Sequence, residues 1–100
     1  MIHGLDTGFL VAAEVVEHAN HAEARAILAR LVADGDSFAI APQILAEFIH
    51  VVSDSRRFSQ PLSMTDAIRL ADEWWTARLA MLLEARNRAR GISPPSLDRK

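Results

Sequence analysis

The sequence contains no cysteine, which excludes disulfide bonds and thiolate-bound metals. Residues 1–5 contain no lysine or arginine, and an acid, Asp6, follows them directly. A signal peptide begins with a basic segment, so we expect none here. The best apolar stretch is interrupted by Glu14 and Glu17 and is too short for a transmembrane helix. These absences lead us to expect a cytoplasmic protein that does not contact a membrane.

Basic residues are scarce in the first part of the chain, and acidic residues are scarce in the last part. Residues 1–77 hold five arginines against eleven acids, a balance of −6, whereas residues 78–100 hold six basic residues against two acids, a balance of +4. A basic segment suits a polyanion. The segment has no aromatic side chain to stack on a base, so the simpler interpretation is a solvated tail, partly helical and then irregular at 91–100. The 100 residues suffice for one domain.

The hydrophobic pattern predicts strands at 2–6 and 37–41, each followed by two helices. Apolar residues spaced three and four apart define the helical faces. Caps are predicted at Asn20 with Glu23, at Ser63 with Asp66, and at the glycine after the second helix, and Pro42 suits a first helical turn. The predicted faces of the second and fourth helices contain Ala24, Ile27, Leu28, Leu31 and Val32, and Ala67, Ile68, Ala71, Trp74 and Trp75. Strands that alternate with helices predict an α/β fold with a short parallel sheet.

Two acids are predicted to meet at one edge of that sheet. Asp6 ends the first strand, and Glu47 lies in the second turn of the helix that follows the second strand. Sites in open α/β sheets form beyond the carboxyl ends of the strands. A helical wheel places Glu47 beside the apolar face, so two carboxylates would converge and a cation would relieve their repulsion. The alternative is that Asp6 caps the next helix and Glu47 is an ordinary surface acid.

Two motifs resemble those of PIN domains. Leu5-Asp6-Thr7-Gly8-Phe9-Leu10 is similar to their opening strand and turn, and residues 41–48 (APQILAEF) are similar to their second strand and Glu-bearing helix. Residues 57–63 (RFSQPLS), followed by a helix ending in tryptophan, resemble the VapC-type toxin branch. The resemblance covers about residues 1–77. It implies a PIN-like fold and RNA cleavage by water activated on Mg²⁺ or Mn²⁺. It also implies an antitoxin partner and a homodimer.

By that resemblance Asp6 and Glu47 are metal ligands, and Thr7 is a hydroxyl that orients the Asp6 side of the site. PIN domains also resemble one another in a C-terminal half with further strands and acids, and nothing similar follows Ala77. Asp98 is the only acid after Glu84. We therefore expect an incomplete site, through truncation or a changed reading frame near Arg78.

Several other signals carry weaker interpretations. Asp6-Thr7-Gly8 is also the motif of aspartic proteases, but those are nearly all-β and rich in glycine, whereas this chain has four glycines and helical patterns. His18 and His21 have a spacing that suits Zn²⁺ but no third ligand nearby, and we expect solvated histidines. Trp74 and Trp75 suit base stacking, but core or dimer packing is favoured. Arg56 and Arg57 suit phosphate contacts or simple solvation.

A non-catalytic function also remains open from the sequence. A small sheet leaves an unpaired edge and an uncovered apolar face, and both favour association. The chain would then be a binding module for an antitoxin or for itself.

Overall fold

The computed structural model describes residues 1–91, a region in which two strands alternate with four helices. The elements in chain order are β1 (Ile2–Gly4), α1 (Thr7–Glu14), α2 (His21–Ala33), β2 (Ser37–Ala39), α3 (Pro42–Val52) and α4 (Met64–Ala89). This order confirms the predicted α/β class. The prediction of irregular structure at 91–100 lies, after Gly91, outside the described residues.

The two strands pair in parallel, as predicted, with His3 opposite Phe38. The backbone N–H of Leu5 donates to the carbonyl of Ala39 at 3.0 Å, so pairing continues one residue past β1. The carboxyl ends of both strands therefore lie at the same edge of the sheet.

Both strands have three residues and are shorter than the predicted 2–6 and 37–41. The paired part of each strand is short, although the backbone stays extended as far as Asp6 and Ala41, the N-cap residues of the following helices. Asp6 is already the N-cap of α1, and Pro42 is the first residue of α3.

A side-chain cap begins two of the four helices, α1 and α4. The Asp6 carboxylate accepts from Phe9 N at 2.8 Å, and the Ser63 hydroxyl accepts from Asp66 N at 3.1 Å, which confirms the Ser63 cap. Asn20 occupies the N-cap position of α2, but its side chain makes no capping hydrogen bond. The capping box predicted for Asn20 is therefore wrong; the Asn20 N–H instead donates to His18 Nδ1 at 3.0 Å.

The end of α2 is fixed by Gly35, as predicted. Gly35 has φ +72°, in the left-handed region. Its N–H donates to Val32 O at 3.1 Å, and the N–H of Asp36 donates to Leu31 O at 3.0 Å. These two bonds form a Schellman motif, which turns the chain directly into β2.

Replacing Gly35 with Ala is expected to lower the free energy of unfolding by about 1–2 kcal/mol, because a Cβ is strained in the left-handed region. That Cβ would also lie 3.1 Å from the flexible Arg88 guanidinium. Urea denaturation followed by circular dichroism measures the change. Gly4→Ala is the control, since its Cβ would meet nothing within 4 Å. Equal stability of the two variants would contradict this explanation.

The core forms where the helices meet around β2. Helix α1 packs against α2 and α3, and α4 packs against α3 and β2. Phe38 of β2 and Trp74 of α4 make an edge-to-face contact with ring centroids 5.6 Å apart. The buried apolar residues are Leu10, Val11, Ala12, Ala13, Val15, Ala24, Phe38, Ile40, Phe48, Val52, Ala67, Ala71 and Trp74. This core holds α1 and α3 together, and those helices carry the predicted site residues.

The predicted faces of two helices are partly wrong. Ile68 and Trp75 of α4 are exposed, and so is Val32 of α2. In α4 the buried positions are Ala67, Ala71 and Trp74, and the residue after each is rotated by about 100° away from the core. An apolar sequence pattern wider than the core contact therefore leaves large side chains at the surface.

Across residues 1–91, none of the helices combines the length and the apolar character needed to cross a membrane.

Candidate functional site

Asp6 lies at the junction between β1 and α1. It is exposed, and its Oδ1 accepts the N–H of Phe9. The carboxylate thus stands at a helix N-terminus, where unpaired N–H groups stabilise negative charge. The capping role predicted as the alternative interpretation of Asp6 is present, and it leaves the carboxylate accessible to solvent.

Thr7 and Glu47 are in direct contact. The Thr7 hydroxyl donates to Glu47 Oε1 at 2.7 Å, a bond between the first turn of α1 and the second turn of α3. Glu47 is exposed and lies outside the core, next to buried Phe48. The fold therefore brings together two predicted site residues that are 40 positions apart, and Asp6 directly precedes one of them.

The donor atoms at this edge are all oxygens. The carboxylates of Asp6 and Glu47 and the hydroxyl of Thr7 are the kind of ligand that Mg²⁺ and Mn²⁺ prefer. For residues 1–91, no group of three or more His, Asp or Glu side chains could hold a metal ion. The residues fit a hard cation by chemistry but supply only two carboxylates.

A cavity of about 470 Å³ adjoins Thr7. Its lining includes Gly8 and Val11 of α1, Val51 of α3, and Arg57 of the following loop. Arg57 is exposed, and its Nε lies 3.5 Å from Asp54 Oδ2. From the sequence, Arg57 was not separable from an ordinary solvated arginine, because only the packing of the loop shows that it faces the same cavity as Thr7.

Asp54 organises this loop. Its Oδ1 accepts from the backbone N–H of Arg56 at 2.9 Å and from the Arg56 side chain at 3.2 Å. The Arg56 backbone N–H, followed by its side chain, lowers the pKa of Asp54 below its ordinary value. A charged Asp54 therefore restrains both arginines of the loop.

The histidines have local structural contacts. His21 Nδ1 lies 2.8 Å from the carbonyl of Ala12, and His21 is half-buried, not solvated as predicted. His18 accepts the N–H of Asn20 at its Nδ1. Each of these two rings therefore has a partner in or beside the α1–α2 connection, and His50 of α3 is exposed.

Glu17 lies between α1 and α2, and its side chain binds the loop that precedes α4. Its carboxylate accepts the backbone N–H groups of Ser59 at 3.1 Å and Gln60 at 3.2 Å, and also the Ser59 hydroxyl. The Ser59 backbone N–H is the largest influence that lowers the pKa of Glu17. The loop that carries Arg57 is thereby anchored beside α1.

This anchor is expected to weaken in acid. Because the folded pKa of Glu17 is below its ordinary value of 4.5, the stabilisation is complete above that pH and is lost as the pH falls through the folded value. Amide hydrogen exchange of Ser59 and Gln60 should accelerate, relative to the intrinsic rate, as the pH falls below about 4.5. Glu17→Gln should remove most of this pH dependence. Unchanged pH dependence in that variant would contradict the role of the Glu17 carboxylate.

The structure and the sequence together define a class: an α/β domain with an acid, a hydroxyl and a second acid at the carboxyl edge of a parallel sheet. No family model matches the sequence. Over 79 residues the chain is 35% identical to VapC ribonuclease Mb2897 of Mycobacterium bovis and to ribonuclease VapC43 of Mycobacterium tuberculosis. The match takes in 79% of this chain and 54% of each relative. The chain is thus similar to VapC ribonucleases over most of its length, and it spans about half of theirs.

Proposed function

We propose that the chain is a VapC-type PIN-domain protein whose described residues supply part of a metal-dependent endoribonuclease site. The observation that carries the proposal is the hydrogen bond between Thr7 and Glu47, beside Asp6, at the carboxyl edge of the sheet. The similarity to proteins named VapC ribonucleases supports RNA as the substrate. Residues 1–77 correspond to the PIN-like part, followed by a basic segment at 78–100.

Asp6 and Glu47 are the residues that would hold Mg²⁺ or Mn²⁺. Such an ion supplies a water of lowered pKa and neutralises charge on the phosphate. Thr7 would act on Glu47 and not on the Asp6 side that the resemblance implies, because its hydroxyl donates to Glu47 Oε1. It is a positioning residue. Arg57 lines the cavity beside Thr7 and would contact an RNA phosphate there.

Two carboxylates make a weak site. Mg²⁺ is reluctant to lose water and binds loosely where few protein ligands replace it. The α1 N-terminus at Asp6 also opposes a cation, because its dipole is positive at that end. We therefore propose that residues 1–91 supply an incomplete site and that cleavage of RNA by this chain is slow.

The experiment is cleavage of a mixed-sequence RNA by the purified chain with Mn²⁺, with Mg²⁺, and with a chelator. The proposal predicts slow cleavage that requires the metal and saturates only at millimolar metal. Cleavage that persists in the chelator would refute metal dependence. Saturation at micromolar metal would refute the incomplete site.

Thr7→Val is expected to reduce metal-dependent cleavage by about 10-fold, in the range found when groups that orient metal ligands are lost. Valine keeps the shape of threonine but cannot donate to Glu47. In the Thr7→Val chain the metal concentration that gives half of the maximal cleavage rate should also rise. A purely structural role of Thr7 would not produce that rise. Thr7→Ser keeps the hydroxyl and should retain most of the activity. Equal activity of the Val and Ser variants would exclude the positioning role.

A second function rests on the exposed apolar residues of α4. In this case the chain would not cleave RNA, and its function would be to bind an antitoxin or a second copy through that surface. Binding without any metal-dependent cleavage would favour this function over the first.

A further inference from the structure

One ring nitrogen of His18 is used by the fold, and the other is not. His18 lies between α1 and α2, where its Nδ1 accepts the backbone N–H of Asn20 at 3.0 Å. Because the accepting nitrogen carries no hydrogen, the proton of the neutral imidazole is on Nε2. No hydrogen bond joins Nε2 to another atom of residues 1–91, and Nε2 is not one of the buried atoms that lack a partner there. The Nε2–H is therefore an unused donor that solvent can reach.

The backbone holds His18 in place. Its N–H donates to Val15 O at 3.0 Å, and its carbonyl accepts the N–H of His21 at 3.1 Å. The side chain is half-buried, and the bond from Asn20 fixes the direction of the ring. A donor that is already held in one orientation loses little conformational freedom when it binds a ligand.

His18 belongs to the wall of the cavity of about 470 Å³ beside Thr7. Three apolar side chains share that wall, namely Val11, Val51 and Phe58. None of the lining residues within 1–91 is an acid. The Thr7 hydroxyl is already bonded to Glu47. His18 and Arg57 therefore supply the side-chain donors that a ligand in this cavity would meet.

The composition of this cavity suits a nucleobase and its phosphate. Sites for small ligands have mostly apolar walls and a few placed polar groups. Every base presents ring nitrogens or carbonyl oxygens as acceptors, and an arginine is well suited to a phosphate. His18 also lines the neighbouring cavity, of about 380 Å³, to which Asp6 belongs. A base held by His18 would therefore belong to a nucleotide next to the proposed metal site.

We propose that His18 is a substrate-binding residue, which donates its Nε2–H to the base of a nucleotide in the cavity beside Thr7. Arg57 contacts a phosphate of the same strand. The inference rests on the proposed function, because it takes single-stranded RNA as the substrate. It concerns the binding of RNA and not its cleavage, so it can be tested without a metal ion.

The test measures how tightly the full chain binds a labelled single-stranded RNA of about 8 nucleotides, by fluorescence anisotropy in a chelator. His18→Asn removes the Nε2–H but keeps an acceptor for the Asn20 N–H, because an asparagine side chain commonly bonds the N–H two residues on. It should weaken binding about 3- to 10-fold, the effect of one lost hydrogen bond, at an unchanged urea midpoint. His50→Asn is the matched control, since it makes the same change outside the cavity and should not alter binding.

His18→Gln separates RNA binding from a structural role. Glutamine places an N–H donor near the position of Nε2 but no acceptor at the position of Nδ1. It should therefore bind RNA more tightly than His18→Asn and unfold at a lower urea concentration. If His18 served only the turn, the two variants would rank the other way round in RNA binding. That order, equal binding by all the chains, or no measurable binding by the unsubstituted chain would overturn the proposal.

Single-stranded DNA of the same sequence identifies the accepting group. The loss in His18→Asn should be the same for DNA and RNA, and a loss confined to RNA would place the donor on the 2′-hydroxyl and overturn the base contact. Cleavage is a separate readout. If RNA binds through His18 without metal-dependent cleavage, the catalytic proposal falls and this inference stands. Metal-dependent cleavage with the same KM in His18→Asn would overturn this inference alone.

Discussion

Replacing Asp6 with Asn, or Glu47 with Gln, is expected to reduce metal-dependent RNA cleavage at least about 100-fold, more than the 10–100-fold typical of residues behind the ligands. Each change removes one negative charge with almost no change in shape. Asparagine caps helices as well as aspartate does, so α1 should keep its start in the Asp6 variant. The loss would then report the carboxylate and not unfolding. Initial rates at saturating Mn²⁺ measure it.

The matched control is Asp66→Asn. Asp66 is an exposed acid in the first turn of α4, so its removal alters the net charge by the same amount without touching the site. It should cleave as the unsubstituted chain does. Asp6→Ala adds a stability readout, since loss of the cap should cost about 1 kcal/mol while Asp6→Asn costs little. Cleavage that is indifferent to both Asp6→Asn and Glu47→Gln would remove the proposed mechanism.

If cleavage by the unsubstituted chain is too slow to measure, Mn²⁺ binding can be followed by water proton relaxation. Weak binding that disappears in both carboxylate variants is the expected result. Binding that is unaffected by either variant would place the ion elsewhere.

The fold class could be predicted because its signals are local. Ser63, Pro42 and Gly35 act within one turn of their own position, so a single sequence identifies the helix ends they produce. At Asn20 the capping box is absent, and His18 Nδ1 accepts the backbone N–H that Glu23 would accept in such a box. The predicted end of the first strand is wrong because the apolar pattern includes Asp6 in the strand, whereas its side chain caps the next helix.

The candidate site could be predicted only in part. Topology brings the ends of parallel strands to one edge, and for that reason the sequence predicts that Asp6 and Glu47 meet there. The Thr7–Glu47 contact depends on how α1 packs on α3, and that packing is set by buried residues such as Phe48, which no local pattern aligns. The position of Arg57 depends on the contact of Glu17 with the 59–60 backbone, 42 and 43 residues away.

The exposed face of α4 shows the same limit. An apolar stripe in the sequence indicates burial, but not what buries it. Ala67 and Trp74 meet the core of this chain, while Ile68 and Trp75 do not. A pattern wider than one face is what a helix needs if it contacts its own core on one side and a second molecule on the other.

Phe48→Ala is expected to lower the free energy of unfolding by about 3–5 kcal/mol, through the lost transfer of the ring and the cavity it leaves. Phe48 is completely buried on α3 and belongs to the cluster that joins α1, α3 and α4. A small domain has about 5–15 kcal/mol in total, so the variant should be close to unfolding at 37 °C. Urea denaturation at 15 °C measures the change.

Phe58→Ala is the matched control, because it removes the same ring from a half-buried loop position. It should cost clearly less than Phe48→Ala, since part of its ring already contacts water. The comparison also tests how the site is held, because Phe48 directly follows Glu47. At temperatures where Phe48→Ala remains folded, the metal concentration that gives half of its maximal cleavage rate should rise. The same concentration should change less for Phe58→Ala. Equal destabilisation by the two variants would mean that α3 is not fixed by this contact, and the Thr7–Glu47 pair would then need another support.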